Sequence, residues 1–279
     1  MKSSNPVFAR SAEFNGKGTA TASDPSQWQI DLNGEGPPTH TGRGSGRMTL
    51  DSVVEKTGIT LAALIAAAAV TWFAIGDLGD PVTGDDALTK AFALAMGGAI
   101  IGLVLSLVNS FKKAVSPPLV LAYAVVEGVF VGALSKVVSS YVNDPTIVFQ
   151  AVLATMVAFG GTLFAYKFFN IQVTDKFRKV MTIAIFSFVG VMLINFVLSL
   201  TGVLENGGLR GFNTLGLVVS AIAVVLAVFM LIMDFDYVER GIAAGLPERE
   251  SWRAAFGLTV TLVWLYIELL RILAILRGD

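Results

Sequence analysis

Cysteine is absent from this 279-residue chain, and histidine occurs once, at His40 in a polar stretch near the N-terminus. The first absence excludes disulfides, thiol nucleophiles and cysteine-ligated iron–sulfur clusters. The second leaves histidine-based metal sites and catalytic triads without their usual base. Charge is also scarce, at 15% of residues where soluble domains carry about 25%. The net charge of −1 gives no electrostatic reason to expect nucleic-acid binding. The first 50 residues contain no early apolar stretch, so no cleaved signal peptide is expected.

What is abundant is hydrocarbon. Hydrophobic residues make up 54% of the chain and the mean hydropathy is +0.70, as in an all-α polytopic membrane protein. A bilayer core of about 30 Å takes about 20 apolar residues per helix. Seven segments qualify: 58–76, 90–111, 118–142, 146–166, 180–201, 214–235 and 255–276. The short gaps carry turn and charge signals, and Pro117, Pro118, Pro145 and Pro247 fall at boundaries, where proline costs least. No internal repeat is evident, which disfavours a repeat-built carrier. Residues 1–50, rich in Gly, Ser, Thr, Pro and Asn, read as a disordered tail ahead of a membrane domain over 51–279. Asn5 to Phe8, "NPVF", reads as a chance apolar cluster or a short binding motif.

Basic residues alternate between successive loops. Arg43, Arg47 and Lys56 flank the first helix, and Asp77, Asp80, Asp85 and Asp86 dominate the first loop. Lys112 and Lys113 mark the second loop; the third has no base after Lys136. Lys167, Lys176, Arg178 and Lys179 mark the fourth, Arg210 alone the fifth, and Arg240, Arg249 and Arg253 the sixth. By the positive-inside rule the N-terminus lies in the cytoplasm and the C-terminus outside the cell membrane. Arg271 and Arg277 pull the other way, and a re-entrant last segment is the alternative.

Three acids interrupt the apolar runs. Glu268 lies inside the last one, Asp234 closes the sixth, and Glu127 sits in the third, followed by glycines at 128 and 132. An ionisable group in hydrocarbon normally titrates, finds a partner or faces internal water. Asp234 and Asp236, two apart, point to nearly opposite sides of a helix, so only one can face a given partner; both could instead simply begin the next loop. Glu268 could pair with Arg271, three residues on. If Asp234 and Glu268 met in a low dielectric they could not both ionise cheaply and would share one proton, as a pH sensor does. Fully ionised, they would offer oxygens to a hard cation such as calcium.

Glu127 could hydrogen-bond a neighbouring helix or line a polar path, and the spacing of Gly128 and Gly132 permits close helix approach. Lys136 is expected to snorkel to the interface, and Asn195 to bind helix to helix. Trp72, Trp252 and Trp264 suit anchoring or packing. Gly97, Gly98, Gly102, Gly160 and Gly161 suit tight packing, and none forms a phosphate loop.

Taken together, "SPPLVLAYAVVEGVFVGALS", "MDFDYV" and "LYIELL" resemble the Bax inhibitor family over roughly residues 55 to 279. The resemblance places Asp234 and Glu268 at the family's two acids. It implies a seven-helix fold with the C-terminal helix enclosed by the other six, and a cytoprotective, pH-sensitive calcium leak regulated by the paired acids. There are three departures. Glu268 stands where the family has Asp, the stretch between the acids is long, and "NSFKKA" offers only Lys112 and Lys113 where some relatives carry a latching arginine. The leading expectation is therefore a cation leak gated by Asp234 and Glu268, with calcium as its ion and no bound cofactor. Its rivals are a non-conducting regulator that binds other membrane proteins, such as a quality-control protease, and a proton-coupled carrier. An enzyme is not expected, for want of any nucleophile–base pair.

Overall fold

The computed structural model describes residues 46–278. The expected disordered tail therefore lies outside the described residues as far as 45, but its last five positions are ordered. Met48 N–H donates to the Leu246 carbonyl and Glu248 N–H to the Gly46 carbonyl, both at 2.7 Å, so this entry strand pairs with the loop before the last helix.

Seven helices follow: α1 (Leu50–Ile75), α2 (Gly84–Phe111), α3 (Pro117–Tyr141), α4 (Thr146–Phe168), α5 (Asp175–Leu200), α6 (Thr214–Ala243) and α7 (Glu250–Gly278), with a 3-10 turn at Glu205–Arg210. Each of the seven is long and apolar enough to cross a membrane, and no strand of a sheet occurs among the described residues. Several helices overrun their apolar segments because polar caps extend them. α1 starts at Leu50, eight residues before the apolar run. There the Thr49 and Ser52 side chains cap each other's backbone N–H groups and satisfy donors the first turn would otherwise leave orphaned. The Thr174 hydroxyl accepts from Phe177 N–H and starts α5 in the same way.

α7 is the most buried helix and carries the core. It lies directly against α1, α3, α4 and α6, while the α2 backbone packs on α3 and the α5 backbone on α6. Direct backbone packing on α7 thus comes from four helices. Two serine-bearing contacts tie it in place: Ser52 Oγ to Ser251 Oγ and Ser135 Oγ to Tyr266 Oη, each 2.7 Å.

The closest helix approach is between α1 and α3. A Cβ at Gly128 or Gly132 would collide with the Leu64 and Ala68 carbonyl oxygens, so only glycine lets these backbones meet. Gly98 and Gly102 serve α2 against α3 in the same way, facing Phe130 and Glu127. Gly97, Gly160 and Gly161 do not. Nothing lies within 4 Å of where their Cβ atoms would be, so the expectation of tight packing at these three is corrected.

α5 is the least attached helix, with only Met181 and Asn195 buried. It is held by side chains at its two ends, Arg178 and Asn195, together with Phe177 on Phe229 and Phe188 on Trp264.

Candidate site on the seam of the last two helices

Asp234 does not end its helix. α6 runs nine residues further, to Ala243, because the polar residues after Asp234 pair with one another and with α5. The long stretch between the two acids is therefore mostly helix. This puts Asp234 inside the bundle, facing α7: Thr261 Oγ1–H donates to Asp234 Oδ2 at 2.6 Å and also to the Gly257 carbonyl at 3.1 Å. Among the described residues no lysine or arginine pairs with Asp234.

Asp236 points the other way, as the two-residue spacing implied. It is buried and takes Arg178 Nη2 at 2.8 Å and Arg240 Nε at 3.0 Å. Arg240 also donates to the Val173 carbonyl. Asp236 therefore ties α5 to α6 and carries two cations where Asp234 has none.

Glu268 lies two turns beyond Thr261 on the same face of α7, about 10 Å along the axis at 1.5 Å per residue. It is 2% exposed. Its partner is neither Asp234 nor Arg271 but Arg210, whose Nη1 donates to Glu268 Oε1 at 2.6 Å. Glu268 Oε2 has no partner among the described residues. Arg271 instead donates to the carbonyls of Arg210 and Gly211, its guanidinium 5.4 Å from the Phe212 ring. The expected meeting of Asp234 with Glu268 is thus not what this structure draws, and neither is the local Glu268–Arg271 pair. A buried ion pair needs good geometry to offset its desolvation; Arg210 supplies it at 2.6 Å, while Arg271 is engaged by the carbonyls of the turn.

Asn195 shows why Arg210 is well placed. Rather than joining two helices, it clamps the 3-10 turn: Asn195 Nδ2 donates to the Gly207 carbonyl at 3.2 Å, and Leu209 N–H donates to Asn195 Oδ1 at 2.8 Å. Gly208, at φ +57°, passes so close that a Cβ would sit 2.6 Å from Asn195 Oδ1. α5 thereby presents the turn, the turn presents Arg210, and Arg210 reaches across to α7.

The other candidates lie apart from the seam. Glu127 packs over Gly102, where a Cβ would come within 2.7 Å of Glu127 Oε2, and it has no hydrogen-bond partner among the described residues. The Lys112 and Lys113 side chains are exposed. Their carbonyls accept from Arg253 Nη2 at 3.5 and 2.8 Å, so they dock the α2–α3 loop on α7 rather than latch an acid. Lys136 stacks over Trp72 at 4.7 Å. No group of three or more His, Cys, Asp or Glu among the described residues could cage a metal, and Asp234 and Glu268 do not form a shared calcium site in this conformation.

Seven membrane-length helices with acids buried on the sixth and seventh match a known pattern. The family model described as Bax inhibitor 1 like fits residues 5–278. The chain belongs to this family. The match reaches back to Asn5, so the family likeness includes "NPVF" and the tail, well beyond residues 55 to 279. A search of curated proteins finds no match. Within this Bax inhibitor 1-like protein, sequence reasoning missed two residues of the site: Thr261, which donates to Asp234, and Arg210, counted there only as a loop charge. The signal for Arg210 was available: a lone base in a loop otherwise poor in bases, just ahead of the two helices that carry buried acids.

Proposed function

We propose that this Bax inhibitor 1-like protein is a pH-sensitive cation leak, calcium being the ion that the family resemblance implies. Asp234 is its titrating group, and the Arg210–Glu268 pair closes the other end of the seam. The observation that carries the reading is the contrast between the acids. Asp236 and Glu268 are each neutralised by arginine, whereas Asp234 has a single threonine hydroxyl. Of the acids on α6 and α7, the one without a counter-charge is the group whose charge a change of pH alters at least structural cost, and its charge sets the attraction for a passing cation. Charge neutralisation of Glu268 by Arg210 makes that end a fixed closure in this state.

The alternation of basic loops supports a cytoplasmic N-terminus and an external C-terminus in the cell membrane. On that orientation Asp234 belongs to the cytoplasmic half and the Arg210 closure to the outer half. No enzymatic chemistry is part of the proposal. Calcium flux through the purified protein in liposomes, measured against pH for wild type and Asp234→Asn, tests it.

One observation favours the second reading, a non-conducting regulator that binds other membrane proteins. α5 exposes Val180, Ile183, Phe186 and Leu193 on a helix with little of its surface packed, an apolar face on which another membrane helix could lie.

A further inference from the structure

α1 and α4 make no backbone contact with each other. Between them runs a groove floored by α3, α6 and α7, in two sections of about 310 and 540 Å³ that share Leu61. Both volumes fall in the range of small-molecule sites, about 300–1,000 Å³. From Val54 to Phe73 the groove follows α1 for nearly 30 Å at about 1.5 Å per residue, close to the hydrocarbon thickness. Its walls are apolar, Phe159, Met156 and Trp72 among them.

One feature makes it more than bare surface. At the mouth of the larger section Lys167 Nζ meets Glu239 Oε1 at 3.1 Å, both side chains exposed, while Tyr166 Oη–H donates to Glu239 Oε2 at 2.6 Å. The mouth thus presents one cation and one anion side by side.

We propose that this groove binds one glycerophospholipid with a zwitterionic aminoethyl-phosphate headgroup. An acyl chain fills the space between α1 and α4. The lipid phosphate lies on Lys167 and its ammonium on Glu239. The site is separate from the acidic seam and does not depend on ion conduction.

The test is native mass spectrometry of the full chain, delipidated in detergent and titrated with phosphatidylethanolamine or with phosphatidylglycerol of identical chains. Wild type should retain one phosphatidylethanolamine per chain in preference to phosphatidylglycerol. Gly58 lines the groove with nothing within 4 Å of where a Cβ would be, so Gly58→Leu puts a side chain into the groove while improving helix propensity. It should weaken retention by at least about tenfold. Gly97→Leu, whose Cβ would be equally free but on α2, should leave retention unchanged. Wild-type protein that keeps no lipid, equal retention of both lipids, or a Gly58→Leu chain that binds as wild type would each overturn the proposal. A lipid-free dimer that Gly58→Leu converts to monomer would overturn it in favour of a second copy of the chain.

Discussion

Arg210 Nη1 lies 2.6 Å from Glu268 Oε1, joining a turn ahead of α6 to the middle of α7 across 58 residues of sequence. Breaking a buried pair from one side strands a charge and costs about 3–5 kcal/mol, whereas removing both members costs far less. Arg210→Met should therefore lower the thermal unfolding midpoint sharply, Glu268→Gln less so, and Arg210→Met with Glu268→Leu should recover most of the loss. Unfolding in detergent, run as a double-mutant cycle, checks this; additive losses would mean that the pair is not coupled.

The turn that carries Arg210 depends on Asn195. Asn195→Ala removes both contacts to residues 207–209 and should cost about 1–3 kcal/mol for the backbone groups left unpaired. Gly208→Ala should be at least as damaging, since its left-handed backbone and the nearby Asn195 Oδ1 both oppose a Cβ. Protease sensitivity within residues 202–213 is the readout, and cleavage should rise in both variants.

Asp144, between α3 and α4, accepts from the Thr146 hydroxyl and backbone N–H and pairs with Arg277 near the end of α7. The Thr146 hydroxyl, then its N–H and the Arg277 charge, hold the carboxyl below its ordinary range. A depressed folded-state value means stability that is present above the unfolded-state value of about 3.9 and lost as pH falls through the folded-state value. The unfolding midpoints of wild type and Asp144→Asn should thus differ at neutral pH and converge below about pH 4. A gap that widens on acidification would reverse the sign of this account.

Loop charges predict that a reporter fused after Asp279 is active outside the cytoplasm. Activity on the cytoplasmic side would contradict the seven-crossing orientation.

Much of the fold was legible because a membrane span is a local property. Each of the seven helices covers its apolar segment to within one residue, and the Gly128–Gly132 spacing does bring α3 onto α1. Helix ends were less legible. Thr49 starts α1 in polar sequence, and α6 continues through Asp236 and Arg240, because caps and ion pairs extend helices where hydropathy stops. The site was legible residue by residue but not in its pairings. The opposite aim of Asp234 and Asp236 follows from helix geometry alone. That Glu268 pairs with Arg210 and not Arg271 does not, since the decision is made by Asn195 and the turn it clamps. Spacing within one helix carries no information about a loop on another. Gly97, Gly160 and Gly161 show the same limit: glycine on a membrane helix signals close approach only where a neighbouring helix comes near.

The central claim is that the charge of Asp234 sets the pH response of the flux while Arg210 pairs with Glu268. Calcium flux from liposomes, measured from acidic to neutral pH on wild type, Asp234→Asn and Glu268→Gln, tests it most directly. Asp234→Asn should abolish most of the pH dependence. Glu268→Gln should change the size of the flux but keep its pH profile, and the double variant should show both effects independently. A flat profile in Glu268→Gln, or identical behaviour of both single variants and the double, would show that the two acids act as a unit and contradict the account.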